Sequence, residues 1–480
     1  MVFHDLREYA EELEKLGELR VLPGVHWDLE IGRITTILCQ KEDQPVVLFD
    51  QIADYPKGYR VLVNPIGSKR TLALCLGIPY MESYIDILNA WRKKLKTLKP
   101  IPPKVVTDGP VLENVQEGKD VNLWKFPVPK WNTLDGGRFI GTGSVTILRD
   151  PDEGWVNLGT YRVMVHDESK AGFFIAPGRH GSIIREKYFA QGQKCKVSIS
   201  CGQDPQIFMV SSMEIPYRMP EYDFTGGLKG EPIEVIESDY SGLPIPARAE
   251  IVIEGEASME ETLEEGPFGE WPGYYGSGAR QDLVIRVKRI LHRNDPILLG
   301  VPPGKPPWST NRVTNFNRSA MLWDEMEGAG VPDIKGVWCH PSAAGRMFIV
   351  VAIKQRYPGH ARQAGLLASS CQAGGNVGRY TLVVDEDIDP TNTDDILWAL
   401  SSRSDPADDI EIIRRCWSTP LDPLVRKGAP SLNTRAIIDA TRPYEWMDEF
   451  PPVVGFPPEE LAETLNKWGK HLAGHGQKKG

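Results

Sequence analysis

The sequence predicts a multidomain α/β (α+β) protein with a β-rich middle. Three observations predict it. The chain has 480 residues, more than one hydrophobic core ordinarily spans, so two or three domains are expected. Helical and strand-like patterns are mixed over residues 1–115 and again over 311–450. Between them, over 116–310, short β-branched runs follow one another, separated by Gly, Pro, Asn and Asp. That punctuation belongs to a barrel or sandwich rather than to a doubly wound sheet, and its mouth is the place to look for a ligand. Residues 451–480 form a last segment, a helix and a polar tail.

In the first block, Leu6, Tyr9, Leu13, Leu16 and Leu19 recur at helical spacing, which predicts a helix over 5–19 with Asp5 as its N-cap. A second helix is expected over 28–40, strands over 45–49 and 59–63, and a third helix over 68–76 that Gly77-Ile78-Pro79 breaks. The prolines of 98–110 predict a semi-rigid linker. The middle block offers strands at 144–148, 161–165, 196–200, 250–254 and 283–287. The third block offers strands at 346–353 and 380–384 and a helix over 394–402; from Pro457 the tail begins helically and is expected to end frayed.

Charge and composition narrow the function classes. Hydrophobic residues make up 41% and charged residues 25%, as in ordinary globular proteins. With a net charge of −10, nothing global favours nucleic acid or an anionic membrane, although a local basic pocket remains open. The start has no signal-peptide pattern, and no apolar run reaches membrane-spanning length, so a cytoplasmic protein is expected. The seven cysteines are scattered, never as C-x-x-C, which argues against a disulfide framework or zinc-thiolate site and for buried thiols.

Several familiar motifs fail on inspection. Asp385-Glu386-Asp387-Ile388-Asp389 opens like a calcium loop, but Pro390 stands where glycine is needed and Ile396 where a bidentate glutamate is needed. An acidic strand-to-helix connection is expected instead. Gly141-Thr142-Gly143 lacks the third glycine of a dinucleotide fingerprint, and neither a phosphate-binding Walker loop nor a G-x-S-x-G elbow is present.

More informative is Glu264-Glu265-Gly266-Pro267-Phe268-Gly269-Glu270-Trp271. Its glycines and proline forbid a regular helix, which predicts a rigid bend carrying Glu265 and Glu270. Neighbouring carboxylates under partial burial suit proton transfer, since one can be held protonated near neutrality. A solvated acidic loop is the ordinary alternative, but Phe268 and Trp271 should draw the segment onto an apolar wall. Asn157, His180 and Glu221 are each unremarkable alone; together they offer a mainly hard donor set for Mg²⁺ or Mn²⁺, with positions left for phosphate oxygens and water. Arg162, in the same block, could pair with a carboxylate or grip that of a substrate; an exposed strand arginine is the alternative.

The order and offsets of these segments resemble the UbiD family of reversible decarboxylases, which use prenylated FMN. The resemblance runs from about residue 5 to 450 and rests on Asn157-Leu158-Gly159-Thr160-Tyr161-Arg162, the loop from Pro177 to Ser182, Gly202-Gln203-Asp204-Pro205, Glu221-Tyr222-Asp223, Glu265 to Glu270, and Val384 to Asp389. It implies a central split β-barrel (flavin-reductase-like) cofactor domain, flanked by an N-terminal α/β domain and a C-terminal α/β oligomerisation domain that builds homodimers or homohexamers. It implies an Arg162, Glu265, Glu270 catalytic trio with Glu270 as proton donor. Asn157, His180 and Glu221 fall on the ligands of a divalent metal, Mn²⁺ or Mg²⁺, with a neighbouring K⁺. Thr160, Tyr161, Arg162, Ala176, Pro177, Gly178, Gly181 and Ser182 fall on the cofactor-contacting stretches. A flavin prenyltransferase would supply the cofactor.

One departure stands out. Some relatives acting on cinnamate-like acids carry a lysine where this chain runs Gly374-Gly375-Asn376-Val377-Gly378, so a contact made by that lysine is missing from the sequence. The expected reaction is reversible loss of CO₂ from an aromatic, heteroaromatic or α,β-unsaturated acid. Trp271, 302–308 and 431–435 are candidate pocket walls, and the 270–275 segment looks closer to members handling aromatic or phenolic acids. Two readings from other classes compete: a flavin-binding oxidoreductase, for which no hydride-donor site is found, and a catalytically silent subunit of a carboxylase complex, against which the intact trio argues.

Overall fold

The computed structural model describes residues 3–41, 43–276 and 278–472. Its first helix, Leu6–Lys15, starts where the sequence asks: the Asp5 carboxylate accepts from the Arg7 and Glu8 amides, each at 2.9 Å. It ends earlier than the leucine spacing predicts. Gly17 takes φ 72°, and Leu19 opens a strand, Leu19–Pro23, instead of closing the helix. Helices Glu30–Cys39 and Lys69–Leu76 and strands Val46–Asp50 and Arg60–Val63 follow as expected. Ser68 and Thr71 form a capping box, and Gly77 stops the third helix at φ 62°. A further helix, Tyr84–Thr97, precedes the proline-dense stretch.

Sheet membership crosses the blocks drawn from composition. The N-terminal sheet is completed by Ile297–Gly300, parallel to Arg60–Val63. The expected linker is laid onto the middle block: Lys104–Val105 pairs with Glu234–Glu237, and the Ile101 amide donates to the Asp223 carbonyl at 2.9 Å.

The middle block forms one antiparallel sheet of nine strands. Its path runs Arg138–Gly141, Val163–Asp167, Lys170–Gly172, Arg280–His292, Ile251–Glu265, Cys195–Cys201, Ser144–Arg149 and Val156–Gly159, with Asn114–Glu117 added along Arg280–His292. Arg138–Gly141 lies at one edge, yet only Thr142 and Gly143 separate it from Ser144–Arg149 near the other. So short a connection spans only about 10 Å, so the sheet must curl until its ends meet. No ladder joins those two strands, which leaves a barrel split along one seam, with Ile199, Ile253, Ile285 and Ile290 sharing one buried face.

The last block is a five-stranded mixed sheet, ordered Ile334–Cys339, Phe348–Ile353, Tyr380–Asp385, Leu432–Ala440 and Ile410–Trp417. A 20-residue helix, Ser309–Gly328, leads into it. The acidic run after Tyr380–Asp385 is a strand-to-helix connection: Arg403 Nη1 donates to Asp385 at 2.9 Å and to Asp387 at 2.8 Å, and Asn392 caps Thr393–Arg403. A final helix spans Pro458–Leu472; the expected frayed end over 473–480 lies outside the described residues. Five of the seven cysteines are buried. Among the described residues no helix is long and apolar enough to cross a membrane.

Candidate active site

Glu265 is not on a bend, as expected, but is the last residue of the strand Ile251–Glu265, paired with Arg280 across the ladder. The bend begins at Gly266, at φ 83°. Phe268 anchors it as the aromatic pattern predicts: it is buried, with its ring 4.0 Å from that of Phe139. The bend returns Glu270 towards the strand, where its amide donates to the Tyr274 carbonyl at 2.9 Å.

Arg162 enters from the turn before Val163–Asp167 and joins both acids. Its Nε and Nη2 donate to the two Glu265 oxygens at 2.8 and 2.7 Å, and its Nη1 donates to Glu270 Oε1 at 2.6 Å. Side-chain exposures of 8% for Arg162, 2% for Glu265 and 14% for Glu270 separate the acids by environment: Glu265 is sealed, Glu270 faces out. Burial pushes the Glu270 carboxyl above its ordinary range; the Arg162 guanidinium pulls the other way without reversing it. Phe174 lies against Arg162 at 4.7 Å and against Arg280 at 3.5 Å. Sequence spacing gave no signal for Phe174 or Arg280, because only the folded ladder brings them to Glu265. A cleft of about 280 Å³ opens on Glu270, lined also by Asn132, Tyr274, Tyr275, Pro303 and Lys305. Of the expected pocket walls, 303–305 lie on it, whereas Asn433 and Arg435 bond to carbonyls of 369–378 instead.

The second group gathers around Val156–Gly159. His180 and Glu221 are each the first residue of a helix, His180–Ala190 and Glu221–Lys229, and both helices pack on that strand. Glu221 accepts from Asn157 Nδ2 at 2.9 Å and from the Leu158 amide at 2.8 Å. Burial pushes its carboxyl up to about 7 despite those bonds. Asn157 Oδ1 is buried without a hydrogen-bond partner. His180 packs edge-on against Trp155 and Tyr217, and burial together with Arg179 lowers its pKa, which favours the neutral imidazole. Among the described residues no group of three or more His, Cys, Asp or Glu converges; this set has two such side chains and an amide oxygen. An orphaned oxygen, a buried carboxyl lacking a cation and a neutral imidazole fit a hard divalent ion.

Tyr161 joins the two groups. Its ring lies between Gly159 and Gly181, where a Cβ would approach its hydroxyl to 2.4 and 2.8 Å, and the Gly181 amide donates to that hydroxyl at 3.3 Å. Thr160 and Ala176 are half-buried, Pro177 and Gly178 are exposed, and Gly178, at φ 82°, has open space beside it. Ser182 is buried and donates to the Arg179 carbonyl at 3.0 Å.

This architecture has known counterparts. Three domains of one family match in order: the 3-octaprenyl-4-hydroxybenzoate carboxy-lyase N-terminal domain over 10–91, its Rift-related domain over 104–306 and its C-terminal domain over 312–440. A phenolic acid decarboxylase of Sedimentibacter hydroxybenzoicus is 33% identical, with 92% of each chain covered. A pyrrole-2-carboxylic acid decarboxylase of Pseudomonas aeruginosa is 33% identical over 84% of each chain. Among solved structures, the vanillic acid decarboxylase of Sedimentibacter hydroxybenzoicus in open form superposes with a TM-score of 0.87, at 31% identity, covering 98% of this chain and 100% of the other. The UbiD-class enzyme HmfF from Pelotomaculum thermopropionicum, in complex with FMN, gives 0.86 at 26% identity, covering 96% and 100%. With family domains along most of its length and relatives named as decarboxylases, the chain belongs to the UbiD family of carboxy-lyases.

Proposed function

We propose that this chain catalyses the prenylated-FMN-dependent, reversible, non-oxidative decarboxylation of an aromatic, heteroaromatic or α,β-unsaturated carboxylic acid. The observation that carries the reading is the Arg162, Glu265, Glu270 array: two carboxyls on one guanidinium, one sealed and one opening on a cleft. FMN bound to one solved relative supports a flavin at this site. Aromatic and heteroaromatic acids in the names of other relatives support the substrate class.

Bound prenylated FMN supplies the electron sink that side chains lack for the electrons released with CO₂. Asn157, His180 and Glu221 would hold Mn²⁺ or Mg²⁺, which with K⁺ would supply positive charge for the flavin's phosphate, and Thr160 to Arg162, Ala176 to Gly178, Gly181 and Ser182 would form the flavin's cradle. Glu270, whose carboxyl burial pushes above its ordinary range, delivers a proton to the carbon that has lost its carboxylate. Arg162 fixes Glu270 at 2.6 Å and orients the incoming carboxylate, while Glu265 anchors the guanidinium from behind. Phe174 and Phe268 screen the array from water. The protein works as a homo-oligomer supplied by a flavin prenyltransferase. The test is production together with such a prenyltransferase, followed by native mass analysis and CO₂ release from a panel of aromatic and unsaturated acids. Bound prenylated flavin and CO₂ release from at least one acid are expected; a chain that never takes up flavin refutes the proposal.

A further inference from the structure

A second cavity, of about 110 Å³, lies where the N-terminal and C-terminal blocks meet, and it shares no lining residue with the Glu270 cleft. Tyr84 reaches it from the helix Tyr84–Thr97, Asn315 and Phe316 from the helix Ser309–Gly328, and Trp338 and His340 from the strand Ile334–Cys339 and the turn after it. Three of these side chains form one aromatic wall: ring centroids stand 5.7 Å apart for Tyr84 and Phe316, 5.2 Å for Tyr84 and Trp338, and 5.2 Å for Phe316 and Trp338. Ser342 and Thr393, both exposed, mark the mouth.

Asn315 supplies what the rings lack. It is 1% exposed, and both its Oδ1 and its Nδ2 are buried without a hydrogen-bond partner. Leaving a buried donor and a buried acceptor unpaired is costly, and native side chains rarely do so. The other polar groups of the lining already have partners. Arg312 donates through Nη1 to the Gly67 carbonyl at 2.8 Å and through Nη2 to the Lys41 carbonyl. His340 Nδ1 accepts from the Ser342 amide at 3.2 Å, which puts the proton of the neutral ring on Nε2, 3.1 Å from Thr393 Oγ1. Among the described residues no carboxylate lines the cavity.

A donor and an acceptor on one carboxamide call for an acceptor beside a donor on the guest, the pairing by which asparagine reads the edge of a base. The aromatic wall offers a face on which a flat ring can lie. A void smaller than the roughly 150 Å³ that holds benzene admits one ring at most, with any remainder in the mouth. We infer that this cavity binds a small neutral ligand, one planar ring with a hydrogen-bond donor beside an acceptor on its edge, the edge on Asn315 and the ring against Tyr84, Phe316 and Trp338. An aromatic carboxamide and a pyrimidine base share that chemistry. The site does not depend on the proposed reaction.

Titration calorimetry on the purified chain tests it with benzamide and with cytosine, each beside its analogue dimethylated on the exocyclic nitrogen, which removes the donor. Wild type is compared with N315L, which removes the paired edge, and with S342W, which fills the mouth. At least one probe should bind, its dimethyl analogue roughly tenfold or more weaker, as lost hydrogen bonds imply, and both variants should lose affinity by a similar factor. Binding of benzamide alone identifies a carboxamide as the guest, and binding of cytosine alone a pyrimidine. No binding of either probe, dimethyl analogues that bind as tightly as their parents, or binding that N315L and S342W leave unchanged overturns the site. Should N315L fail to fold, S342W and the dimethyl comparison on the wild type decide it.

Discussion

Removing Arg162 should unmask how the acids are held. Arg162→Met keeps the length of the side chain but leaves the Glu265 carboxyl, 2% exposed, without its two charge-assisted hydrogen bonds. Stranding one partner of a buried pair typically costs about 3–5 kcal/mol, and the lost bond to Glu270 adds roughly 1 kcal/mol. Glu265→Gln should cost less, about 1–3 kcal/mol, because Arg162 retains Glu270. The double variant R162M/E265Q should then be more stable than the sum of the two losses by about 2 kcal/mol or more, since the sealed Glu265 charge is no longer left alone. Urea unfolding followed by tryptophan fluorescence at fixed protein concentration measures all four chains. A loss below about 1 kcal/mol in R162M, or strict additivity in the double variant, would refute a coupled buried array.

Other expectations follow from the same geometry. Gly159→Ala puts a methyl group 2.4 Å from the Tyr161 hydroxyl, so the ring must move, at about 1–3 kcal/mol; unchanged thermal stability would show that it is free to do so. His180→Ala and Glu221→Ala should lose divalent metal by elemental analysis and flavin by absorbance; full occupancy of both in either variant rejects that residue as a ligand. Burial pushes the Asp135 carboxyl up to about 6, against the bonds from the Asn132 amide and the Tyr275 hydroxyl. The folded state thus favours the protonated form, and this stabilisation is full below about pH 4 and lost as pH rises through about 6. Relative to Asp135→Asn, the wild type should lose up to about 3 kcal/mol between pH 4 and 7; parallel stability curves would contradict this.

What was legible in the sequence was mostly local. Asp5, Ser68 and Gly77 fix helix ends by hydrogen bonding and backbone freedom within a few residues, and each acts where the sequence places it. Tyr84–Thr97 was not assigned, although Ser83 caps it and Ile87, Leu88 and Trp91 form its buried stripe. Ser309–Gly328 hides itself for a physical reason: Arg312, Asn315, Asn317, Arg318 and Ser319 are all buried on it, so its apolar period is broken. The identities of Arg162, Glu265 and Glu270 were carried by resemblance. Their meeting depends on residues 103 and 108 positions apart, which no spacing rule reaches. Glu265 was expected on the bend because glycine and proline mark where a strand must end, not how far it has run before them. Arg280 and Phe174 reach the site only through strand pairing.

The central claim is that Glu270 supplies the proton in a flavin-dependent decarboxylation. The most direct test compares wild type with Glu270→Gln, both produced together with a flavin prenyltransferase, by flavin absorbance and by CO₂ release from an acid the wild type turns over. Flavin retained with CO₂ release reduced at least a hundredfold, the lower range of a lost general acid, is the predicted result. A flavin-loaded Glu270→Gln that releases CO₂ at the wild-type rate would contradict it.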